Sequence, residues 1–361
     1  MRKHYIDNLR WLAVLLLIPY HGAVAWNVWG EPNYIFFHGS RTLSSIVVFL
    51  SPYFMPLLFL LAGMSTRFAL KKRTLGQYIR ERAMRLLVPL CFGTLVLMPV
   101  LTYLADRHNC GYTGGFFAHY KVFFTRYTDL TGADGGFSLG QFWFLLYLFV
   151  ISCIAAGVIA LQRRFIKTEL KALPFPLVLL LGAPLPLLSE VLSIGGKSLA
   201  EYTYIFLIGY YVFSREEVTE KAERYRAVTL VLGISAAALD VYLFIWSRSL
   251  PAVNTAAKFI PEWLMLLALI GVGRRRLDER TPLTSYMSSR SFPFFSFHFI
   301  SLVLFQFLLA KPLSGQTGLL YLVPVLSGYI LTFLLCEAVI RVPALCFLTG
   351  TKPPVRSDKP H

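Results

Sequence analysis

Long apolar runs, each closed by a short polar or basic segment, recur from one end of the chain to the other. Runs of about 18 or more apolar residues are too long for ordinary core helices. They are also too continuous for the short alternating segments of a membrane barrel. They predict α-helices that cross a bilayer. About ten spans can be drawn. They lie near 8–27, 43–64, 86–105, 141–161, 173–190, 199–213, 227–247, 256–273, 291–310 and 318–340. The fifth contains Pro174, Pro176, Pro184 and Pro186 and is expected to be kinked or broken, because each proline removes a helical donor. The predicted fold is all-α, a polytopic helical bundle in a membrane.

Charge orients the bundle. Lysine and arginine fall in alternate connections, and with a cytoplasmic amino terminus 27 of the 35 lie on the cytoplasmic side. That bias predicts that both termini are cytoplasmic. It also accounts for the formal charge of +16 without a nucleic-acid partner. The first segment has a small-residue stretch, Ala23-Val24-Ala25, that resembles a cleavage site. Its apolar core is long and is interrupted by Pro19, Tyr20 and His21, so it reads as a retained helix. The sequence therefore predicts one transmembrane domain over 1–345 and a short cytoplasmic tail over 346–361, ending KPPVRSDKPH. The longest external connection, 106–140, is rich in Gly, Tyr and Phe, which suits a surface anchor or a binding lid. The five cysteines form no CxxC pair and no metal-ligand pattern.

Ionisable groups inside a membrane are costly and so mark candidate sites. Arg10 and His21 stand eleven residues apart in the first span. In a regular helix that is about three turns, with both side chains on one face and ~16 Å between them. Asp7 accompanies Arg10. His298, in FPFFSFHFI, is the other intramembrane histidine, at a depth that allows it to share a cavity with His21. A second cluster precedes the third span, in YIRERAMRLLVP. Arg80, Arg82 and Arg85 serve there either as topogenic charge or as a phosphate cradle, since arginine forks match phosphate oxygens. Helical spacing allows ion pairs Glu81–Arg85, Lys258–Glu262 and Glu337–Arg341. No Walker loop, dinucleotide glycine motif, HExxH or GxSxG is present.

Together these marks resemble one family. YIDNLRWLAVLLLIPYH resembles the opening of the acyltransferase 3 family of membrane acyltransferases, whose hallmark is Arg-x10-His in the first helix. LFLLAGMSTRF is similar to the end of that family's second helix, with Ala62-Gly63 where Ser-Gly is usual. YIRERAMRLLVP resembles its arginine-rich third helix, QFWFLLYL its fourth, and SFPFFSFHF its penultimate helix. The opening is most similar to the branch associated with succinylating periplasmic glucans. The resemblance implies O-acyl transfer, acetyl or succinyl, from cytoplasmic acyl-CoA to a hydroxyl of a periplasmic or extracellular glycan. It also implies a bacterial inner-membrane location and no metal. His21 would be the general base, or would take the acyl group transiently, with Arg10, His298 and Asp7 as its partners. Arg80, Arg82 and Arg85 would bind the CoA phosphates. A proton-coupled secondary transporter is the rival, because broken helices and central histidines suit one too; no inverted repeat supports it.

Overall fold

The computed structural model describes residues 3–165, 173–247 and 257–351. The terminal stretch 352–361 and the charges Arg2, Lys167, Lys171 and Arg248 lie outside the described residues. The elements are helical except for a two-residue antiparallel hairpin, Ser193–Ile194 with Lys197–Ser198.

The first apolar segment is two helices, α1 (His4–Leu15) and α2 (Leu17–Val24). It is followed by α3 (Arg41–Ala69), α4 (Leu75–Cys110) and α5 (Phe116–Thr125). Next come α6 (Gly140–Phe165), α7 (Phe175–Leu188), α8 (Leu199–Phe213), α9 (Glu216–Arg224) and α10 (Arg226–Trp246). The last long elements are α11 (Phe259–Arg276), α12 (Pro282–Leu309) and α13 (Thr317–Arg341). Of these, α3, α4, α6, α10, α12 and α13 are long and apolar enough to cross a membrane. As its prolines predict, α7 is interrupted: helix runs over Phe175–Leu180 and resumes over Leu185–Leu188.

The chain divides into two compact units. One comprises Met1–Ala13, Ser40–Arg82 and Tyr147–Thr284; the other Val14–Gly39, Ala83–Leu146 and Ser285–His361. In the first unit, α3 crosses α8 at backbone contact. A Cβ on Gly63 would overlap the Phe206 carbonyl, and one on Gly209 would overlap the Leu60 carbonyl. Small residues on both helices let backbones approach where lipid gives no hydrophobic drive to associate. Gly63→Leu is therefore expected to destabilise the unit by at least the ~1–3 kcal/mol typical of overpacking. A lowered melting temperature of the detergent-solubilised protein would read this out. The polar end of this unit is tied by Arg274, which donates to Glu216 at 2.6 Å, Glu223 at 3.0 Å and Glu220 at 3.2 Å. Lys3 also reaches Glu216, and hydrogen bonds from Lys3 and Arg274 hold that carboxyl below its ordinary pKa.

In the second unit, Pro19 explains why the first segment is not one regular helix. Proline has no N–H to give the Leu15 carbonyl, and its ring crowds that oxygen. The helix breaks at Leu16, and the Tyr329 hydroxyl donates to the Leu15 carbonyl instead, at 2.7 Å. Tyr321 donates to the Pro19 carbonyl at 3.3 Å. Thus α13 satisfies what the proline leaves open. Gly22 lets α2 approach α13, since a Cβ there would press on Val325, and Gly328 lets α13 approach the Leu302 backbone of α12.

The connection after α4 is also tied down. Asp106 is buried, with His119 Nε2 at 3.0 Å and Arg126 Nη1 at 3.4 Å from its Oδ2. Asn109 donates to the carbonyls of Asn33, Tyr34 and Ala133. Burial lowers the pKa of His119 from its ordinary value despite the neighbouring carboxylate.

Of the acids in the three expected ion pairs, two bond elsewhere in the fold. Glu81 accepts from Arg73 at 2.8 Å. Glu337 accepts from Arg290 at 2.9 Å and Tyr286 at 2.8 Å, both on α12. Oε1 of Glu262 is buried without a hydrogen-bond partner. In the first two cases the acid takes a partner from elsewhere in the fold, and the Arg341 charge still acts on the Glu337 carboxyl.

Candidate functional site

Two groups of side chains carry the candidate chemistry, one in each unit. In the second unit, α2 and α12 bring the two intramembrane histidines together. The rings of His21 and His298 are 5.4 Å apart, centroid to centroid. Phe299 stacks on His21 at 4.3 Å and 21°, and Tyr34 meets the edge of Phe299 at 5.1 Å. His298 is fully buried and His21 half-buried. The local cause is clear in both helices. Gly22, next to His21, leaves no room for a side chain against Val325 of α13, and α12 is lined by Phe294, Phe295, Phe297 and Phe299, among which His298 is fully buried.

Hydrogen bonding fixes the state of His298. Its Nδ1 lies 2.7 Å from the Phe295 carbonyl, which can only accept. Nδ1 therefore carries the proton, and in the neutral ring Nε2 carries a lone pair. That Nε2 is buried with no hydrogen-bond partner. A dry imidazole nitrogen with an unused lone pair is able to take a hydrogen bond from a hydroxyl. Placed beside a second imidazole, it belongs to a pair that can orient and deprotonate an alcohol.

In the first unit, the end of α3 organises the arginines. Arg10 donates to Asp7 at 2.8 Å and to the Ser65 hydroxyl at 2.9 Å. Arg82 donates through Nε to Tyr78 at 3.1 Å and through Nη2 to Thr66 at 3.2 Å. Ser65 and Thr66 donate their own protons to the carbonyls of Leu61 and Ala62, so each is left as an acceptor for a guanidinium. Arg67 reaches the Tyr210 hydroxyl at 3.4 Å and lies over that ring. Arg80, in this unit, and Arg85, in the other, are exposed. A seam of oriented guanidinium groups presents charge without aggregating it, the arrangement that suits a phosphate-bearing ligand.

The structure thus joins Asp7 to Arg10 and His21 to His298. Arg82 joins a hydroxyl seam, while Arg80 and Arg85 are surface charges. The first segment is interrupted at Leu16, between α1 and α2. Spacing does not single out Ser65, Thr66 and Tyr78 as partners. Their one signal is two adjacent hydroxyl residues closing an apolar run, LFLLAGMSTRF. Among the described residues no group of three or more His, Cys, Asp or Glu side chains is placed to hold a metal ion.

No curated protein and no solved structure matches the chain. A family model, described as an acyltransferase domain, matches residues 3–341, nearly the whole length. With that match over nearly its whole length and six helices able to span a bilayer, the chain is an integral membrane protein that belongs to this acyltransferase family.

Proposed function

We propose that the protein is an O-acyltransferase that moves an acetyl or succinyl group from cytoplasmic acyl-CoA to a hydroxyl of a glycan outside the membrane. The proposal takes about ten spans, both termini in the cytoplasm, and a bacterial inner membrane as its setting. The observation that carries it is the histidine pair: two imidazoles side by side, one with its tautomer fixed and its Nε2 unused. His21 acts as the general base on the acceptor hydroxyl. Its ring nitrogen takes the hydroxyl proton as the oxygen attacks the thioester carbonyl, and the proton passes to the departing CoA thiolate. His298 orients the acceptor by receiving a hydrogen bond at Nε2.

The donor carries phosphates that cannot enter lipid, so it needs a basic mouth. Arg10, Arg80, Arg82 and Arg85 supply that charge, and Asp7 and Ser65 hold the Arg10 guanidinium in position. No metal takes part in this reading.

The direct test is the full chain in lipid nanodiscs with acetyl-CoA or succinyl-CoA. Release of CoA and acylation of an added saccharide support the proposal. Saccharide flux in sealed vesicles with no acyl-CoA consumed would mark a proton-coupled transporter instead. The same assay checks the arginines. Arg82→Ala is expected to raise KM for acyl-CoA by about ten- to a hundredfold, the ~1.5–3 kcal/mol typical of a charged hydrogen bond. Its KM for the acceptor should move little. Arg82→Lys should recover only part of the loss, because lysine cannot bridge Tyr78 and Thr66.

A further inference from the structure

Phe299 follows His298 on α12 and lies face-on against His21. The two ring centroids are 4.3 Å apart and the planes differ by 21°. The Phe299 plane is also within 10° of the His298 plane, at 5.9 Å, and the two imidazoles differ by 30°. The three rings are therefore close to parallel. A face-on contact leaves the nitrogens of His21 at the rim of the stack, clear of the Phe299 ring. Phe299 covers the base without touching the atoms that move a proton.

The Phe299 ring is itself held in place. It is 5% exposed, and Tyr34, 4% exposed, meets it at 5.1 Å and 83°. The Tyr34 hydroxyl shares a hydrogen bond with Ser138 at 3.1 Å, and Ser138 accepts the Gly140 N–H at 3.0 Å. Gly140 has φ +47° and no room for a side chain, since a Cβ would strike Met98 and crowd the Tyr34 oxygen. A rigid turn at the start of α6 thus fixes Tyr34, and Tyr34 braces the ring that lies on His21.

The chemistry gives that ring a task. In the transfer described above, His21 takes the acceptor's proton as the oxygen bonds to the thioester carbon. It returns the proton to the CoA sulfur when the carbon–sulfur bond breaks. Between these events the imidazole is a cation in an apolar setting, where charge is costly. A cation within about 6 Å of an aromatic centroid and over its face is attracted by the ring quadrupole, most strongly where water is excluded. The helices that carry the pair, α2 and α12, contain no acid. A π face also attracts the cation without occupying a nitrogen of the base.

We propose that Phe299 is a positioning residue for His21: its π face fixes the plane of the imidazole and stabilises the charge that ring gains during proton transfer. This rests on the acyl-transfer reading above and adds the group that supports the base.

The experiment uses the full chain in nanodiscs, with Phe299 replaced in turn by 4-fluoro-, 3,5-difluoro- and 3,4,5-trifluorophenylalanine. Fluorine draws charge out of the π face and hardly alters the ring's shape, so folding is preserved across the series. The readout is single-turnover CoA release with acetyl-CoA or succinyl-CoA as donor and methyl glucoside as acceptor. The pH is 8, above the ordinary histidine value, so that the charge forms during the reaction. The rate should fall with each fluorine and by about tenfold at the third, most of what a desolvated cation–π contact contributes. Cyclohexylalanine, which fills the same place without a π face, should be at least as slow. KM for acyl-CoA should change less than about twofold, since the contact acts in the transition state. The same fluorinated residues at Phe294, which packs on Tyr329 and Phe333, should leave the rate within about twofold of wild type. A flat series at Phe299, or an equal fall at Phe294, overturns the assignment and leaves the acyl-transfer reading standing. No CoA release by the wild type from either donor removes that reading, and the assignment with it.

Discussion

His21→Ala is expected to lower acyl-CoA-dependent transfer at least a hundredfold, chiefly in kcat, while the protein remains folded and inserted. A positioned general base contributes about 10²–10⁴ in rate, and alanine leaves none. The half-buried position of His21 makes the result clean. Its ring packs on Phe299 and beside His298 and carries no part of the helix ladder, so its loss removes chemistry more than architecture. His298→Ala should act differently. If it orients the acceptor, the larger effect falls on acceptor KM, and the double variant should be little worse than His21→Ala alone, as for residues that act as a unit. The measurement is initial CoA release against acceptor concentration for the three variants, with size-exclusion profiles as the folding control. Normal transfer by a stably inserted His21→Ala protein would sink the proposed mechanism.

Much of this arrangement is legible in the sequence, and the reasons for what is not are physical. Apolar runs report helices because length and hydropathy alone decide what can cross lipid, and the prolines of α7 announce its interruption. Single-residue rarity announces the two histidines and Arg10, since an ionisable group costs too much in an apolar run to persist there without a role. The partnerships resist such reading. Spacing proposes Glu81–Arg85 and Glu337–Arg341. The fold chooses Arg73 and Arg290, because an exposed neighbour one turn away is worth only a few tenths of a kcal/mol and any well-placed tertiary partner displaces it. Pro19 is visible in the sequence, yet the donor that takes up the Leu15 carbonyl it leaves open, Tyr329, lies more than three hundred residues away.

The 106–140 connection should lose its order when Asp106 is replaced. Asp106 is 2% exposed and holds His119, which is fully buried, together with Arg126, which is partly open to solvent. Removing one member of a buried charged network typically costs ~3–5 kcal/mol, and the exposure of Arg126 brings the expectation for Asp106→Ala down to about 2–4 kcal/mol. Asp106→Asn should cost less, because its amide oxygen still accepts from His119 while the charge facing Arg126 is gone. The loss is expected as local opening, read by limited proteolysis within 106–140 before global melting. The sign of the pH dependence follows from His119. Burial lowers its pKa in the folded loop, so near pH 6 an opened loop binds a proton that the closed one refuses. Stability of the loop therefore falls as pH drops through ~6.5, the ordinary histidine value, and stops falling below the depressed folded value. Cleavage should be faster at pH 5 than at pH 7.5 in the wild type, and His119→Gln should lose that component. Equal resistance of wild type, Asp106→Asn and His119→Gln at both pH values would show that the loop is held by its Asn109 contacts and aromatic packing rather than by this charged core.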